Sequence, residues 1–389
     1  MEDLDNVRKK LKPSERNPRL SSKKSSQAMA SPFPMALIRK RAKITLGKKL
    51  KEGGVGIIYR ATVKDATGKI REIIAKKAKP GAKGAQKYLQ QEADVGQALI
   101  DLCRGVKGNV LCSDIQGLET IVVPVMRKND TVIQEKIEGA NAWEAIYSTK
   151  PLPIFANGFI DDPQKTIERI CGLVLGLHSL HRIGKVHHDL KLKNIMFERQ
   201  KDGAGEEYYR IRIIDLGGTV PMGENARLRS RNGAPEYISP RPNEKKDRIA
   251  RSAYDLYSLG TMLPTLLFGR GTEWLLDKVF WAIKRKRKRT RVIPSPFVQV
   301  YRKIEKASGI EKAKERMDQF VLECFQKMNK AMQEKINQCY PEPVLERLAA
   351  MTADCLSMDP EKRPTAEQML LQLQNFALSD WNSGSYSIS

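Results

Sequence analysis

Apolar and polar positions follow a strand-like pattern in the first part of the chain. The segments IIYRATV (57–63) and REIIAKKAK (71–79) are rich in β-branched residues, and the turn-prone stretch from Asp65 to Gly68 separates them. Short runs of this kind, bounded by turn residues, are typical of paired β-strands. The pattern predicts a small antiparallel sheet, with folded structure beginning near Ile44.

Farther along the chain the periodicity becomes helical. Segment 163–182 starts at Pro163, a residue suited to the first turn of a helix, and continues with apolar positions three and four residues apart. A second segment, 310–332, repeats this spacing through charged residues. Because strands come first and helices follow, the order predicts an α+β fold with two lobes, a sheet lobe and a mostly helical lobe.

Composition adds boundaries to this picture. The chain has 389 residues, of which 41% are hydrophobic, enough for one large two-lobed core or for two ordinary cores. Residues 1–40 combine many Lys and Arg with Ser and Pro, which predicts a disordered basic tail. We expect the sheet lobe at 41–138, the helical lobe at 139–378 with a basic insertion near 284–291, and a flexible C-terminus at 379–389.

Charge and cysteine usage restrict the function classes. The net charge of +24 favours acidic partners. No apolar run approaches the roughly 20 residues of a membrane-spanning helix, and the N-terminus lacks the apolar core of a secretory signal. The six cysteines form no C-x-x-C pair, which disfavours a zinc ribbon or a disulfide framework. We therefore expect a cytoplasmic protein, with the nucleus or delivery into a host cell as alternatives.

A glycine-rich segment, KEGGVGIIYRA (51–61), lies between two strand-like runs. Glycines let the backbone approach a ligand and direct N–H groups at phosphate oxygens, so Gly53, Gly54 and Gly56 are candidate phosphate contacts. A plain hairpin turn is the commoner explanation for three glycines in such a segment. This segment alone does not establish a nucleotide site.

Two lysines end the second strand-like run. Alternation along a strand places Ala75 and Lys77 on one face, so Lys77 could reach phosphates, although Lys76 remains the alternative. Glu92 lies in the predicted helix KYLQQEADVGQAL and could pair with that lysine. The simpler interpretation is a solvated lysine and a helix-surface glutamate.

The most informative runs are VHHDLKLKNIMF (186–197) and IRIIDLGGT (211–219). Phosphoryl transfer needs a carboxylate to orient the acceptor hydroxyl and oxygen ligands for Mg²⁺. Asp189, Lys191, Asn194 and Asp215 supply that set.

These runs resemble the catalytic loop and metal-binding segment of the eukaryotic-type protein kinase superfamily, and of its serine/threonine members in particular. Ala234-Pro235-Glu236, Asp255 and Arg363 then follow in the order typical of that family. The resemblance spans roughly residues 44–375. It implies the same α+β, bilobal fold.

By this resemblance the chain would use ATP with Mg²⁺ or Mn²⁺ and phosphorylate a protein substrate. Asp189 and Lys191 would be catalytic, and Asn194 and Asp215 would hold the metal. The remaining implied nucleotide contacts are Gly53, Gly54, Gly56, Ile58, Ala75, Lys77, its partner Glu92, and the hinge residues Glu135 and Ile137, after Gln134 as gatekeeper.

Several positions depart from the family pattern. Lys51 replaces the first loop glycine, Leu216 replaces a phenylalanine, and His188 stands where many kinases have a phosphate-binding arginine. A neutral imidazole anchors phosphate less well than a guanidinium. We therefore expect control by a partner, or constitutive activity, rather than conventional activation-loop phosphorylation.

The basic run KRKRKRTR (284–291) could dock an acidic partner or act as a nuclear-localisation signal, and a solvated loop explains it equally well. Nucleic-acid binding is less favoured because stacking aromatics are not interleaved with the basic residues. The four histidines, all within 178–188, are disfavoured as a zinc site because the cysteines lie elsewhere.

Three functions are compatible with these observations. An active serine/threonine protein kinase is favoured by the intact catalytic set. A pseudokinase that binds nucleotide as a scaffold is the alternative, motivated by Lys51 and His188. A small-molecule phosphotransferase is disfavoured because Ala234-Pro235-Glu236 and Arg363 suit a protein substrate.

Overall fold

The structure is a computed structural model that describes residues 43–64, 68–105, 120–127, 130–155, 162–223, 249–269, 340–357 and 359–379. The predictions for the basic tail, the Ala234-Pro235-Glu236 motif, the basic run 284–291, the helical segment 310–332 and residues 380–389 lie outside these ranges.

The first lobe is built on a five-stranded antiparallel sheet. Its strands are β1 (Ile44–Glu52), β2 (Gly56–Lys64), β3 (Ile70–Ala78), β4 (Val125–Arg127) and β5 (Thr131–Glu135), in the spatial order β1-β2-β3-β5-β4. β1 and β2 form a hairpin at the glycine-rich segment, where the Gly53 N–H donates to the Gly56 carbonyl at 2.8 Å. The predicted antiparallel sheet, beginning near Ile44, is confirmed.

Helix α1 (Ala85–Gly105) packs against one face of this sheet. Leu89 and Ala93 on the helix and Val132 on β5 form a buried cluster. Leu89 and Ala93 are four residues apart and therefore project from the same side of the helix. That side carries Glu92 as well, so packing of α1 brings a carboxylate to the sheet.

The second lobe is centred on α3 (Pro163–Arg182), which has the same bounds as the predicted segment 163–182. Asp162 caps its first turn by accepting a hydrogen bond from the Lys165 N–H at 2.9 Å, and Pro163 occupies the first helical position. The buried face of α3 includes Ile170, Leu173, Val174 and Leu177. Its apolar periodicity thus corresponds to the core-facing side.

The other described elements of this lobe are β6 (Gly139–Asn141), α2 (Ala142–Tyr147), β7 (Lys185–Val186), β8 (Ile195–Lys201), β9 (Glu207–Ile213), β10 (Val220–Pro221), α4 (Ala253–Phe268), α5 (Glu342–Leu356) and α6 (Ala366–Ser379). β8 lies between β6 and β9 in a three-stranded sheet, and β7 pairs with β10. Almost every residue of α4 is buried, which makes α4 the central helix of the core.

The sheet-first, helix-later order confirms the α+β, two-lobed prediction. Within the described ranges, no helix has the length and apolar character needed to cross a membrane.

Candidate active site

The loop between β7 and β8 is fixed from beneath by a buried carboxylate. Asp255 on α4 is fully buried and accepts hydrogen bonds from the backbone N–H groups of His187 (2.8 Å) and His188 (2.9 Å). His181 on α3 also contacts it, with Nε2 3.0 Å from Oδ2. Burial opposes ionisation, but the histidine contacts outweigh it and hold the pKa of Asp255 below its usual value. The carboxylate therefore stays ionised and shapes the loop.

His188 adopts a left-handed backbone conformation, with φ of 63°. This conformation is uncommon for a residue with a side chain and is maintained by surrounding contacts. The backbone of His188 is tied to Asp255, directly before Asp189. The fixed backbone of His188 thus helps set the backbone position of Asp189.

Asp189, Lys191 and Asn194 converge within this loop. The Lys191 Nζ donates to Asp189 Oδ2 at 2.6 Å, and the Asn194 Nδ2 donates to the Asp189 carbonyl at 2.8 Å and to Oδ2 at 3.3 Å. These side-chain contacts to the carboxylate all use Oδ2, and none of them uses Oδ1. The Asn194 amide oxygen is not used in them and could bind a cation.

Asp215 follows β9 in a second left-handed conformation, with φ of 62°. The next residue, Leu216, is fully buried in the main core, so the apolar side chain anchors the segment that carries the carboxylate. Asp215 Oδ1 accepts a hydrogen bond from the Lys76 Nζ at 2.7 Å. Burial raises the pKa of Asp215, but the positive charge of Lys76 outweighs burial and lowers it.

The lysine at this site is Lys76, and the expectation that Lys77 pairs with Glu92 is wrong. Lys76 Nζ lies 2.9 Å from Glu92 Oε2 as well as 2.7 Å from Asp215 Oδ1. Lys77 instead forms an ion pair with Asp130 at 3.3 Å, and its side chain is 43% exposed. The two lysines project to opposite faces of β3 because side chains alternate along a strand.

Ala75 is also on the wrong face for the predicted site. It is fully buried with Ala61, Ile73 and Ile133 on the side of the sheet away from Lys76. The residue that shares the Lys76 face, two positions earlier, is Ile74.

The strand register places other predicted contacts on the Lys76 face. Ile58 on β2 lies directly opposite Lys76, and Gln134 on β5 lies opposite Ile74. Paired residues of neighbouring strands project to the same side of a sheet. Ile58 and Gln134 therefore share the face that carries the lysine.

Lys76 and Glu92 form a buried ion pair. Burial lowers the pKa of Lys76, but the carboxylates of Glu92 and Asp215 outweigh burial and raise it, so the amine keeps its charge. Burial raises the pKa of Glu92 above its usual value, and the positive charge of Lys76 offsets only part of that rise. The pair connects β3 to α1 and brings a fixed positive charge to Asp215.

The glycine-rich turn leads into β2 next to the Lys76 side chain. Gly53 and Gly54 are exposed at the turn, and Gly56 is buried where the turn joins β2. A Cβ on Gly56 would lie 3.3 Å from both the Lys76 side chain and the Lys77 carbonyl, so a larger residue would crowd β3. The turn can expose backbone N–H groups to a ligand, as phosphate binding requires.

The segment between the lobes runs from Gln134 to Ile137. The Glu135 side chain points away from the Lys76 face and pairs with Arg212 on β9, which is only 1% exposed. Arg212 Nη1 also binds Glu198 on β8 at 2.8 Å. The ion pair with Arg212 thus ties the Glu135 side chain to the second lobe and restrains the backbone of the segment from Gln134 to Ile137.

Two contacts at the site were not anticipated from the sequence. The Tyr88 hydroxyl on α1 donates to Asp215 Oδ1 at 3.2 Å, and burial raises the pKa of Tyr88, which keeps that proton in place. Arg212 is the second. Tyr88 lies four residues before Glu92, so helical spacing would have placed both side chains on one face once Glu92 was suspected.

The donors present fit a magnesium ion that is also bound by phosphates. Asp215 offers a carboxylate and Asn194 an amide oxygen, both hard ligands of the kind Mg²⁺ prefers. Across the described ranges there is no group of three or more His, Cys, Asp or Glu side chains arranged to hold a metal. A site with one protein carboxylate suits Mg²⁺, which is commonly bound by one or two carboxylates together with substrate phosphates.

Comparisons with known proteins agree with this geometry. A family model described as protein kinase domain matches residues 154–373. A protein of Streptomyces coelicolor named "Probable serine/threonine-protein kinase" is 28% identical over 35% of the chain and 18% of its own length. LysM domain receptor-like kinase 3 of Arabidopsis thaliana is 24% identical over 54% of the chain and 29% of its own length.

A cell cycle serine/threonine-protein kinase of Saccharomyces cerevisiae is 35% identical over 26% of the chain. That match covers 13% of the yeast protein, so the chain corresponds to a minor part of each of these relatives. The family model, in contrast, covers more than half of the chain and includes the residues around Asp189, Asn194 and Asp215. The chain therefore belongs to the protein kinase family.

Proposed function

We propose that this protein transfers the γ-phosphoryl group of ATP to a serine or threonine hydroxyl of a protein substrate. The observation that carries the proposal is the convergence of two charge clusters. Lys76 connects Glu92 to Asp215, and Lys191 and Asn194 surround Asp189. These are the positioning and charge-neutralising groups that phosphoryl transfer requires.

Each group has a role that its contacts support. Asp189 Oδ1 would orient the acceptor hydroxyl and receive its proton, while Lys191 holds Oδ2 and would balance charge on the transferred group. Lys76 would bind the nucleotide phosphates, which replaces the earlier assignment of Lys77. Mg²⁺ or Mn²⁺, held by Asp215 and Asn194, would supply positive charge to the phosphates.

The nucleotide would lie between the glycine-rich turn and the hinge. Gly53, Gly54 and Gly56 would contact phosphates through backbone N–H groups, and Ile58 would cover the base from β2. The backbone of Glu135 and Ile137 would receive the adenine edge. The Arg212 pair supports this placement because it directs the Glu135 side chain away from the nucleotide.

The choice of serine and threonine over tyrosine rests on Lys191, two residues after Asp189, and on the names of the relatives. The proposed mode of control rests on His188, whose backbone is fixed by Asp255 and whose imidazole replaces a phosphate-binding arginine. We expect regulation by an acidic partner at the basic tail or at 284–291. Cytoplasmic residence, with the nucleus or a host cell as alternatives, completes the proposal.

The test is phosphate transfer from γ-labelled ATP with Mg²⁺ or Mn²⁺, to the protein itself and to basic and acidic protein substrates. Wild type is compared with Asp189→Asn, followed by mapping of the modified residues. Transfer by wild type alone, onto Ser or Thr, supports the proposal. Nucleotide binding by both proteins without transfer would favour the pseudokinase alternative, and modification of tyrosine alone would contradict the serine/threonine assignment.

A further inference from the structure

Tyr88 lies on α1 between the sheet and the segment that carries Asp215. Its aromatic ring packs directly on Gly217. A Cβ built on Gly217 would lie 2.0 Å from Tyr88 Cε1 and 2.3 Å from Cζ, far inside van der Waals contact. The glycine is therefore required for this ring position, and the ring fixes the separation of α1 from the Asp215 segment.

The Tyr88 hydroxyl reaches the carboxylate of Asp215. It donates to Oδ1 at 3.2 Å, the same oxygen that accepts from Lys76 at 2.7 Å. The hydrogen bonds that the described side chains make to this carboxylate thus all use Oδ1. Two donors on one oxygen fix the rotation of the carboxylate and leave Oδ2 available for a cation.

The same ring is close to the lysine. Lys76 Nζ lies 5.0 Å from the centre of the Tyr88 ring, within the range of a cation–π contact. Tyr88 thus contacts Asp215, Gly217 and Lys76 with three parts of one side chain. This arrangement is a connection between α1 and the Asp215 segment that does not pass through Glu92.

We propose that Tyr88 is a positioning residue for the metal, orienting the Asp215 carboxylate so that Oδ2 faces the cation. The inference rests on the proposed function, because it takes Asp215 as a metal ligand. Tyr88 would act through Asp215 and would not itself bind the metal or the substrate. Its contribution is to reduce the number of orientations that the carboxylate must lose when the cation binds.

The direct test is Tyr88→Phe in the full chain, which removes the hydroxyl and keeps the ring on Gly217. Mn²⁺ binding is measured by electron paramagnetic resonance in the presence of a saturating non-hydrolysable ATP analogue. We expect Mn²⁺ affinity to fall by about three- to tenfold, since a carboxylate that keeps only its Lys76 contact has more orientations to lose when the cation binds. Affinity for the analogue without metal should remain at the wild-type value, because Tyr88 contacts Asp215 rather than the nucleotide-binding backbone.

Tyr209→Phe is the control, because it removes the hydroxyl of a buried tyrosine on β9 that has no contact with Asp215 among the described side chains. Its Mn²⁺ affinity should equal that of wild type. Tyr88→Leu removes the ring too, and we expect it to weaken Mn²⁺ binding at least as much as Tyr88→Phe and to lower the thermal midpoint.

Equal Mn²⁺ affinity in wild type and Tyr88→Phe would overturn the positioning role, and tighter binding would overturn it by showing that the hydroxyl competes with the cation. In both cases wild type still binds analogue and metal, so the proposed function stands. If wild type bound the analogue without any Mn²⁺, both the positioning role and the proposed metal site would be wrong.

Discussion

The ion cluster at Arg212 offers a sharp test of what holds the two lobes at the hinge. Arg212→Leu removes a guanidinium that is 1% exposed and leaves the carboxylates of Glu135 and Glu198 without it. Removing one partner of a buried ion pair costs about 3–5 kcal/mol. Glu198 retains Arg210 at 2.5 Å, so we place the loss near the lower bound, about 3 kcal/mol.

The measurement is the midpoint of thermal unfolding, monitored by circular dichroism. The unfolding entropy is about 2.1 cal/mol/K per residue, or about 0.7 kcal/mol/K for a fold of roughly 340 residues, so a loss of about 3 kcal/mol should lower the midpoint by about 4 °C. Arg210→Leu is the matched control, because the Arg210 side chain is 41% exposed and its pair with Glu198 should contribute no more than about 1 kcal/mol.

A double variant separates charge from packing. Replacing Glu135 by Leu together with Arg212→Leu removes the unpaired carboxylate, and well-packed apolar groups can substitute for a buried ion pair with little loss. We expect the double variant to regain at least half of the fall in thermal midpoint that Arg212→Leu causes. Equal midpoints for Arg212→Leu and Arg210→Leu would refute the reasoning, since burial would then have no effect on the value of the pair.

Three further outcomes follow from local geometry. Gly96→Ala on α1 should destabilise the protein strongly, because the new Cβ would lie 1.8 Å from the Pro124 carbonyl oxygen. Gly172→Ala on α3 should instead stabilise it by about 0.5–1 kcal/mol, because the nearest neighbour of its Cβ is at 3.5 Å. Chemical denaturation measures both unfolding free energies, and a more stable Gly96→Ala than Gly172→Ala would contradict the packing. The pKa of Asp255 is lowered on folding, so its contribution to stability is complete above the ordinary pKa of about 4 and is lost as the pH falls toward the folded value. Asp255→Asn should therefore reduce the unfolding free energy more at pH 7 than at pH 3, and a pH-independent difference would show that the ionised carboxylate does not matter.

The sequence was most informative where structure is decided locally. Helix 163–182 was predicted with the bounds that α3 has, because its apolar periodicity and Pro163 lie within the segment itself. The sheet near Ile44 was predicted for the same reason. The loop residues Asp189 and Asn194 were identified by their spacing, and the structure brings them together.

The errors arose where a contact depends on distant parts of the chain. Lys76 and Lys77 are adjacent, and only the pairing of β3 with its neighbours and the position of α1 decide which one meets Glu92. Alanine at position 75 suggested the wrong face. Local sequence at β3 therefore could not make this choice.

Tyr88 and Arg212 were missed for a related reason. Tyr88 meets Asp215 across 127 positions of sequence, and Arg212 meets Glu135 across 77. Each looks like an ordinary residue of an amphipathic helix or a strand. Their importance depends on burial and on the partner, which a single sequence does not specify.

The central claim is that Lys76, held between Glu92 and Asp215, is the lysine of a phosphoryl-transfer site. The most direct measurement compares phosphate transfer from labelled ATP by wild type, Lys76→Met and Lys77→Met, at equal concentrations of folded protein. Loss of one preorganised electrostatic contact typically lowers a rate by about 10²–10³-fold, so Lys76→Met should lose at least about 100-fold while Lys77→Met stays near wild type. Transfer that survives Lys76→Met and disappears in Lys77→Met would contradict the account.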